Sequence, residues 1–133
     1  MRQPDVIVPD NHPNPPEEHE VETAWALARH FGTVVTFLIP TDGYLISTQD
    51  MVMNGVIWEL KSPVGSSRNT IGNLFRLLSK KRARNIVIDS RRTKLKDDAI
   101  TDKIRNEIKH RRTMRRILFI GKDGTVIEIN RQN

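Results

Sequence analysis

Local sequence alone is enough to place two carboxylates and an ammonium on one face of a hairpin. Residues 50–61 read Asp-Met-Val-Met-Asn-Gly-Val-Ile-Trp-Glu-Leu-Lys. Two runs of apolar and β-branched residues are joined by Asn54-Gly55, the strongest short-range signal for a tight two-residue turn. Counting outward from that turn sets Met53 opposite Val56, Val52 opposite Ile57, Met51 opposite Trp58 and Asp50 opposite Glu59. Opposed residues share a face, with Cβ atoms about 5 Å apart. Lys61 joins that face because side chains alternate with period 2.

Like charges directly opposite one another are destabilising, so a compensating cation is expected. Carboxylate oxygens are hard donors that suit Mg²⁺ or Mn²⁺. An ion there would polarise a phosphate ester and acidify a bound water. Lys61 would neutralise charge growing on the phosphate or position the nucleophile. The chemistry implied is metal-assisted hydrolysis of a phosphodiester. It depends on register, since a one-residue slip sends Asp50 and Glu59 to opposite faces.

A phosphodiester substrate needs a grip, and the charge distribution offers one. Residues 1–61 hold 3 Lys/Arg against 9 Asp/Glu, whereas residues 80–116 hold 15 against 5. The basic half suits a polyanion, with nucleic acid the leading partner class. A solvated basic surface, a membrane surface or an acidic protein are the other readings. Candidate grips are Lys80, Lys81, Arg82, Arg91, Arg92, Lys94, Arg111 and Arg112. Arg91 and Arg92 lead because they follow a buried strand, at an end where sites often form.

Length and composition bound the scaffold. A chain of 133 residues is one domain on size alone. No apolar run is long enough to span a membrane, and no membrane partner is expected. The N-terminus lacks the basic and then apolar pattern of a signal peptide. With no cysteine, disulfides and thiolate metal sites are excluded. Residues 1–16 carry five of the seven prolines, which suggests an extended or disordered lead-in, or the tail of a linker. His12 and His19 near its end are expected to be exposed polar residues. Met1 and the modest length fit a complete small protein; the lead-in fits a piece of a larger one.

A single domain over 17–133 follows. Pro16-Glu17-Glu18 opens a helix with Val21, Ala24, Trp25, Ala28 and Phe31 at helical spacing, stopped by Gly32. Thr33 to Ile39 is a strand ended by Pro40, and Thr41-Asp42-Gly43 a turn leading to the hairpin. After a loop of small residues, Asn69 or Thr70 starts a helix with Ile71, Leu74, Phe75, Leu77 and Leu78 as its apolar positions. Its N-terminus, beside Ser66, Ser67, Arg68 and Lys61, suits either simple capping or a phosphate. Asn85–Asp89 is a buried strand. A helix from Asp97 or Asp98 buries Ile100, Ile104 and Ile108, and strands at 115–120 and 125–129 form a second hairpin. The order gives an α/β (α+β) fold, a mixed central sheet flanked by helices.

Asp50, followed at a distance by Trp58-Glu59-Leu60-Lys61-Ser62-Pro63 and Gly65, resembles the PD-(D/E)XK nuclease superfamily. More narrowly, the chain is similar to the C-terminal toxin domains of contact-dependent growth inhibition (CdiA-type) systems. His19-Glu20-Val21-Glu22-Thr23-Ala24, Ser67-Arg68-Asn69-Thr70, Asn85–Asp89 with Arg91-Arg92, and the terminal hairpin extend the similarity over about residues 17–130. The resemblance implies a metal-dependent ribonuclease that cuts tRNA in the bacterial cytoplasm. It further implies delivery as the C-terminal part of a secreted toxin and restraint by a cognate immunity protein. Asp50 and Glu59 are implied as metal ligands and Lys61 as the catalytic lysine. An acid of the first helix is implied as a further ligand, Glu22 by preference and Glu20 next, with Thr70 as a weaker contact. Gln49 stands where the superfamily has proline. A DNA endonuclease of the same superfamily and a non-catalytic nucleic-acid-binding module are the alternatives.

Overall fold

The computed structural model describes residues 3–39 and 50–131. Pro40, the turn expected at Thr41-Asp42-Gly43 and Gln49 lie outside the described residues. Among the described residues, seven strands and three helices give the expected mixed α+β fold, with parallel and antiparallel pairings. The chain divides into two compact units at Leu60/Lys61. Each unit builds its own parallel strand pair across a helix, which is what gives it an independent framework.

In the first unit, β1 (Asp5–Ile7) pairs parallel with β2 (Val34–Phe37). A parallel pair needs a crossover, supplied by α1 (Glu18–Phe31), which lies against both strands. The proline-rich lead-in is therefore extended at Asp5–Ile7. Pro4 and Pro9 sit outside the short strand, where the missing N–H costs the ladder nothing. At the helix start, the Glu17 N–H donates to Glu20 Oε1 at 2.7 Å. At its end, Gly32 takes the left-handed conformation at φ 60° that glycine adopts without penalty.

The buried stripe of α1 is Glu20, Thr23, Ala24, Leu27 and Ala28. It is rotated from the stripe expected through Trp25 and Phe31. Phe31 is exposed, and Trp25 is half-buried under the Arg29 guanidinium at 5.0 Å from its ring. The aromatic residues lie along the border, so they misplace the centre of the face.

β3 (Asp50–Met53) and β4 (Val56–Lys61) are antiparallel strands, with β4 belonging to the first unit up to Leu60. Val35, Phe37, Met51, Met53, Trp58 and Leu60 are all buried. Pairing and alternation put these six on one sheet face.

The second unit contains α2 (Thr70–Lys80), β5 (Asn85–Asp89), α3 (Asp97–Ile108), β6 (Arg116–Ile120) and β7 (Val126–Asn130). β5 and β6 are parallel, joined through α3, and β7 returns antiparallel to β6. α2 and α3 pack together, and Phe75, Leu78, Ile86, Ile104, Ile117 and Phe119 are central to one core. Each such side chain contributes about 1.5–3 kcal/mol on burial. The buried positions of α2 are Ile71, Phe75 and Leu78, spaced at one helical stripe. Leu77, expected among them, falls outside that stripe and is 55% exposed. Among the described residues, no helix is long and apolar enough to cross a membrane.

Candidate active site

The β3–β4 register pairs Asp50 with Glu59, Met51 with Trp58, Val52 with Ile57 and Met53 with Val56. Every pairing counted from the turn is present. Asn54 and Gly55 have φ of 52° and 78°, the two positive values that a type I′ turn requires. The turn is tied to the end of α1, because the Thr33 hydroxyl donates to Asn54 Oδ1 at 2.7 Å.

Alternation sets Asp50, Glu59 and Lys61 on the face opposite Met51, Trp58 and Leu60. Asp50 is nonetheless only 4% exposed, while Glu59 and Lys61 are half-buried. The Leu38 N–H donates to the Asp50 carbonyl at 2.9 Å, so the ladder between β2 and β3 continues to the acid itself. Two opposed carboxylates, one of them buried, are hard donors suited to a divalent cation. By donor chemistry the pair fits Mg²⁺ or Mn²⁺.

The two helix acids differ. Glu20 lies on the buried stripe of α1, and Glu22 is exposed on the other side of the helix. Among the described residues, one group of three acids or histidines has ligand atoms within 4.8 Å of one another: Glu17, His19 and Glu20. Helix capping and the 3.3 Å contact between His19 Nδ1 and Glu17 account for that group. Among the described residues, neither Glu20 nor Glu22 joins Asp50 and Glu59 in such a group.

In the second unit, Thr70 and Thr93 both lie against Gly65. A Cβ at Gly65 would come within 2.6 Å of Thr70 Oγ1, so a larger residue would force that side chain to shift. The Gly65 carbonyl accepts a hydrogen bond from Thr93 Oγ1 at 2.6 Å. Thr93 stands between Arg92 and Lys94, so Gly65 ties the start of α2 to the loop after β5.

Arg91 is fixed in that loop. Its Nε donates to Asp89 Oδ1 at 3.0 Å, its Nη2 to Oδ2 at 2.8 Å, and its backbone N–H to Oδ1 at 3.0 Å. Asp89 is 3% exposed. Arg91 thus anchors the loop, and Arg91, Arg92 and Lys94 are all exposed. Of the cations in 80–116, Lys103, Arg111 and Arg116 are half-buried and pair with Glu107 or Glu128. The remainder are exposed, which a polyanion-binding surface needs.

Beside these geometric facts stands a family match. The contact-dependent growth inhibition CdiA C-terminal domain family matches residues 47–126. The chain belongs to this family. The matched span holds Asp50, Glu59, Lys61, Thr70, Arg91, Arg92 and Lys94 and leaves out the acids of α1. Among solved structures, the chain is similar to one described as a CdiA-CT/CdiI toxin and immunity complex from Burkholderia pseudomallei. The TM-score is 0.72 at 18% identity, covering 95% of this chain and 98% of that one. At that identity the likeness shows the fold. No curated protein matches the chain.

Proposed function

We propose that this CdiA C-terminal domain is a metal-dependent nuclease toxin of the PD-(D/E)XK type, cleaving phosphodiester bonds of tRNA. The observation that carries the reading is the pairing of Asp50 with Glu59, with Lys61 two residues on along the same strand. Family membership supports toxin action, and the similar toxin–immunity complex supports a cognate immunity protein as partner. Delivery as part of a larger toxin and action in the cytoplasm of a target bacterium follow from the same reading.

Asp50 and Glu59 would hold Mg²⁺ or Mn²⁺. When bound, such an ion supplies Lewis-acid polarisation of the scissile phosphate and a more acidic water. The half-buried ammonium of Lys61 balances negative charge that grows on the phosphate. Burial of Asp50 lowers the local dielectric and strengthens each of these interactions. A helix acid, Glu22 or Glu20, would take the supporting role, and the burial of Glu20 favours the latter. Arg92, Lys94 and Thr70 hold the substrate backbone, and Arg91 keeps their loop in place.

Purified protein incubated with tRNA or plasmid, with Mg²⁺ or with EDTA, tests the assignment. Cleavage of tRNA in Mg²⁺, its loss in EDTA and an intact plasmid are expected. Plasmid cleavage with intact tRNA would make the enzyme a DNA endonuclease. Binding of tRNA without cleavage under any metal would reduce it to a binding module.

A further inference from the structure

His12 falls in the proline-rich lead-in, yet it is 7% exposed. The chain turns at Pro9-Asp10-Asn11-His12, with the His12 N–H donating to the Pro9 carbonyl at 3.1 Å. The Asn14 N–H points at His12 Nδ1, 3.2 Å away. A backbone amide can only donate, so Nδ1 is the acceptor and the ring proton sits on Nε2. Nε2 lies 3.0 Å from the Leu38 carbonyl, to which that tautomer donates. The Leu38 N–H in turn donates to the Asp50 carbonyl at 2.9 Å. One residue of backbone therefore separates the imidazole from the acid at the head of β3.

We infer that His12 is a positioning residue for Asp50, acting through Leu38. Leu38 follows the last residue of β2, and Asp50 is the first of β3. Ladder ends have neighbours on one side only, so their hydrogen bonds open most readily. A bond from a buried side chain to Leu38 holds this end closed and keeps the Asp50 carboxylate opposite Glu59. The lead-in then has a task in the site although it supplies no ligand. The inference rests on the reading of Asp50 as a metal ligand, and it predicts a backbone effect that does not depend on metal.

Three full-length variants separate the possibilities. His12→Ala removes both ring hydrogen bonds. His12→Asn keeps an acceptor for Asn14 and cannot reach Leu38. His12→Gln places an amide N–H where Nε2 was and restores the bond to Leu38. Mn²⁺ affinity by calorimetry, Leu38 amide exchange without metal, and thermal melting are measured on each. His12→Ala and His12→Asn should weaken Mn²⁺ binding about fivefold, the worth of one hydrogen bond, and speed Leu38 exchange. His12→Gln should recover both. Equal exchange and equal affinity in all three, with wild-type melting, would overturn the positioning role. Faster Leu38 exchange without any Mn²⁺ binding by wild type would overturn the metal reading of Asp50 and leave the clamp standing.

Discussion

Asp50 stands directly across the β3–β4 hairpin from Glu59, four residues before a turn whose two residues both have positive φ. Opposition of two acids costs stability in a bare sheet, and the turn is what enforces it. Replacing Gly55 with Ala at φ 78° should destabilise the fold by about 1–2 kcal/mol. Thr33→Val, which removes the hydroxyl bonded to Asn54, should cost about 1 kcal/mol. Urea unfolding of each variant measures the loss, and an unchanged midpoint for both would mean the turn does not set the register.

The hairpin is legible because everything that determines it is local: two strand-forming runs, one Asn-Gly, and counting. The buried face of α1 is less so. Trp25 and Phe31 look like core residues, but Arg29 covers Trp25, Phe31 is exposed, and the buried stripe runs through Glu20 and Leu27 instead. His12 is hidden for another reason, since its partner Leu38 is 26 residues away and no local pattern announces a tertiary contact. The basic half is plain from composition. Which of its cations are already engaged, as Arg91 is by Asp89, takes coordinates to see.

The two helix acids can be told apart without disturbing the helix start. Glu20→Gln keeps an acceptor for the Glu17 N–H and removes the charge, while Glu22→Gln alters an exposed position. Mn²⁺ affinity should fall in the first and stay unchanged in the second. The opposite order would make Glu22 the supporting acid.

Neighbouring arginines should behave differently. Arg91→Ala takes a guanidinium from the buried Asp89 carboxylate and should cost about 2 kcal/mol of stability. Arg92→Ala should leave stability within about 0.5 kcal/mol and lower the salt dependence of tRNA binding by about one unit of slope. Denaturation and binding across a salt series measure both. A stable Arg91→Ala protein with the larger loss of binding would reverse their roles.

Acid should weaken the second unit through Asp97. Burial pushes the Asp97 carboxyl up, but the Lys122 N–H, the Ser90 hydroxyl and the Lys122 ammonium together outweigh it and hold it below its ordinary value. Ser90 Oγ donates at 2.8 Å and the Lys122 N–H at 3.0 Å. With its folded value depressed, Asp97 stabilises the protein above the unfolded carboxylate pKa of about 4. That contribution is lost as pH falls through the folded value. Melting temperature against pH should drop below about pH 4 in wild type. In Asp97→Asn it should start lower at neutral pH and show a shallower acid limb, whereas an acid limb of unchanged depth would remove Asp97 from the account.

The central claim is that Asp50, Glu59 and Lys61 form one metal-dependent catalytic unit. Gel-resolved cleavage of tRNA by wild type, Asp50→Asn, Glu59→Gln and Lys61→Ala, at matched folding and in Mg²⁺, tests it most directly. The account predicts that each variant still binds tRNA and that each loses at least about 100-fold in cleavage rate. Cleavage by any of the three at the wild-type rate would contradict it.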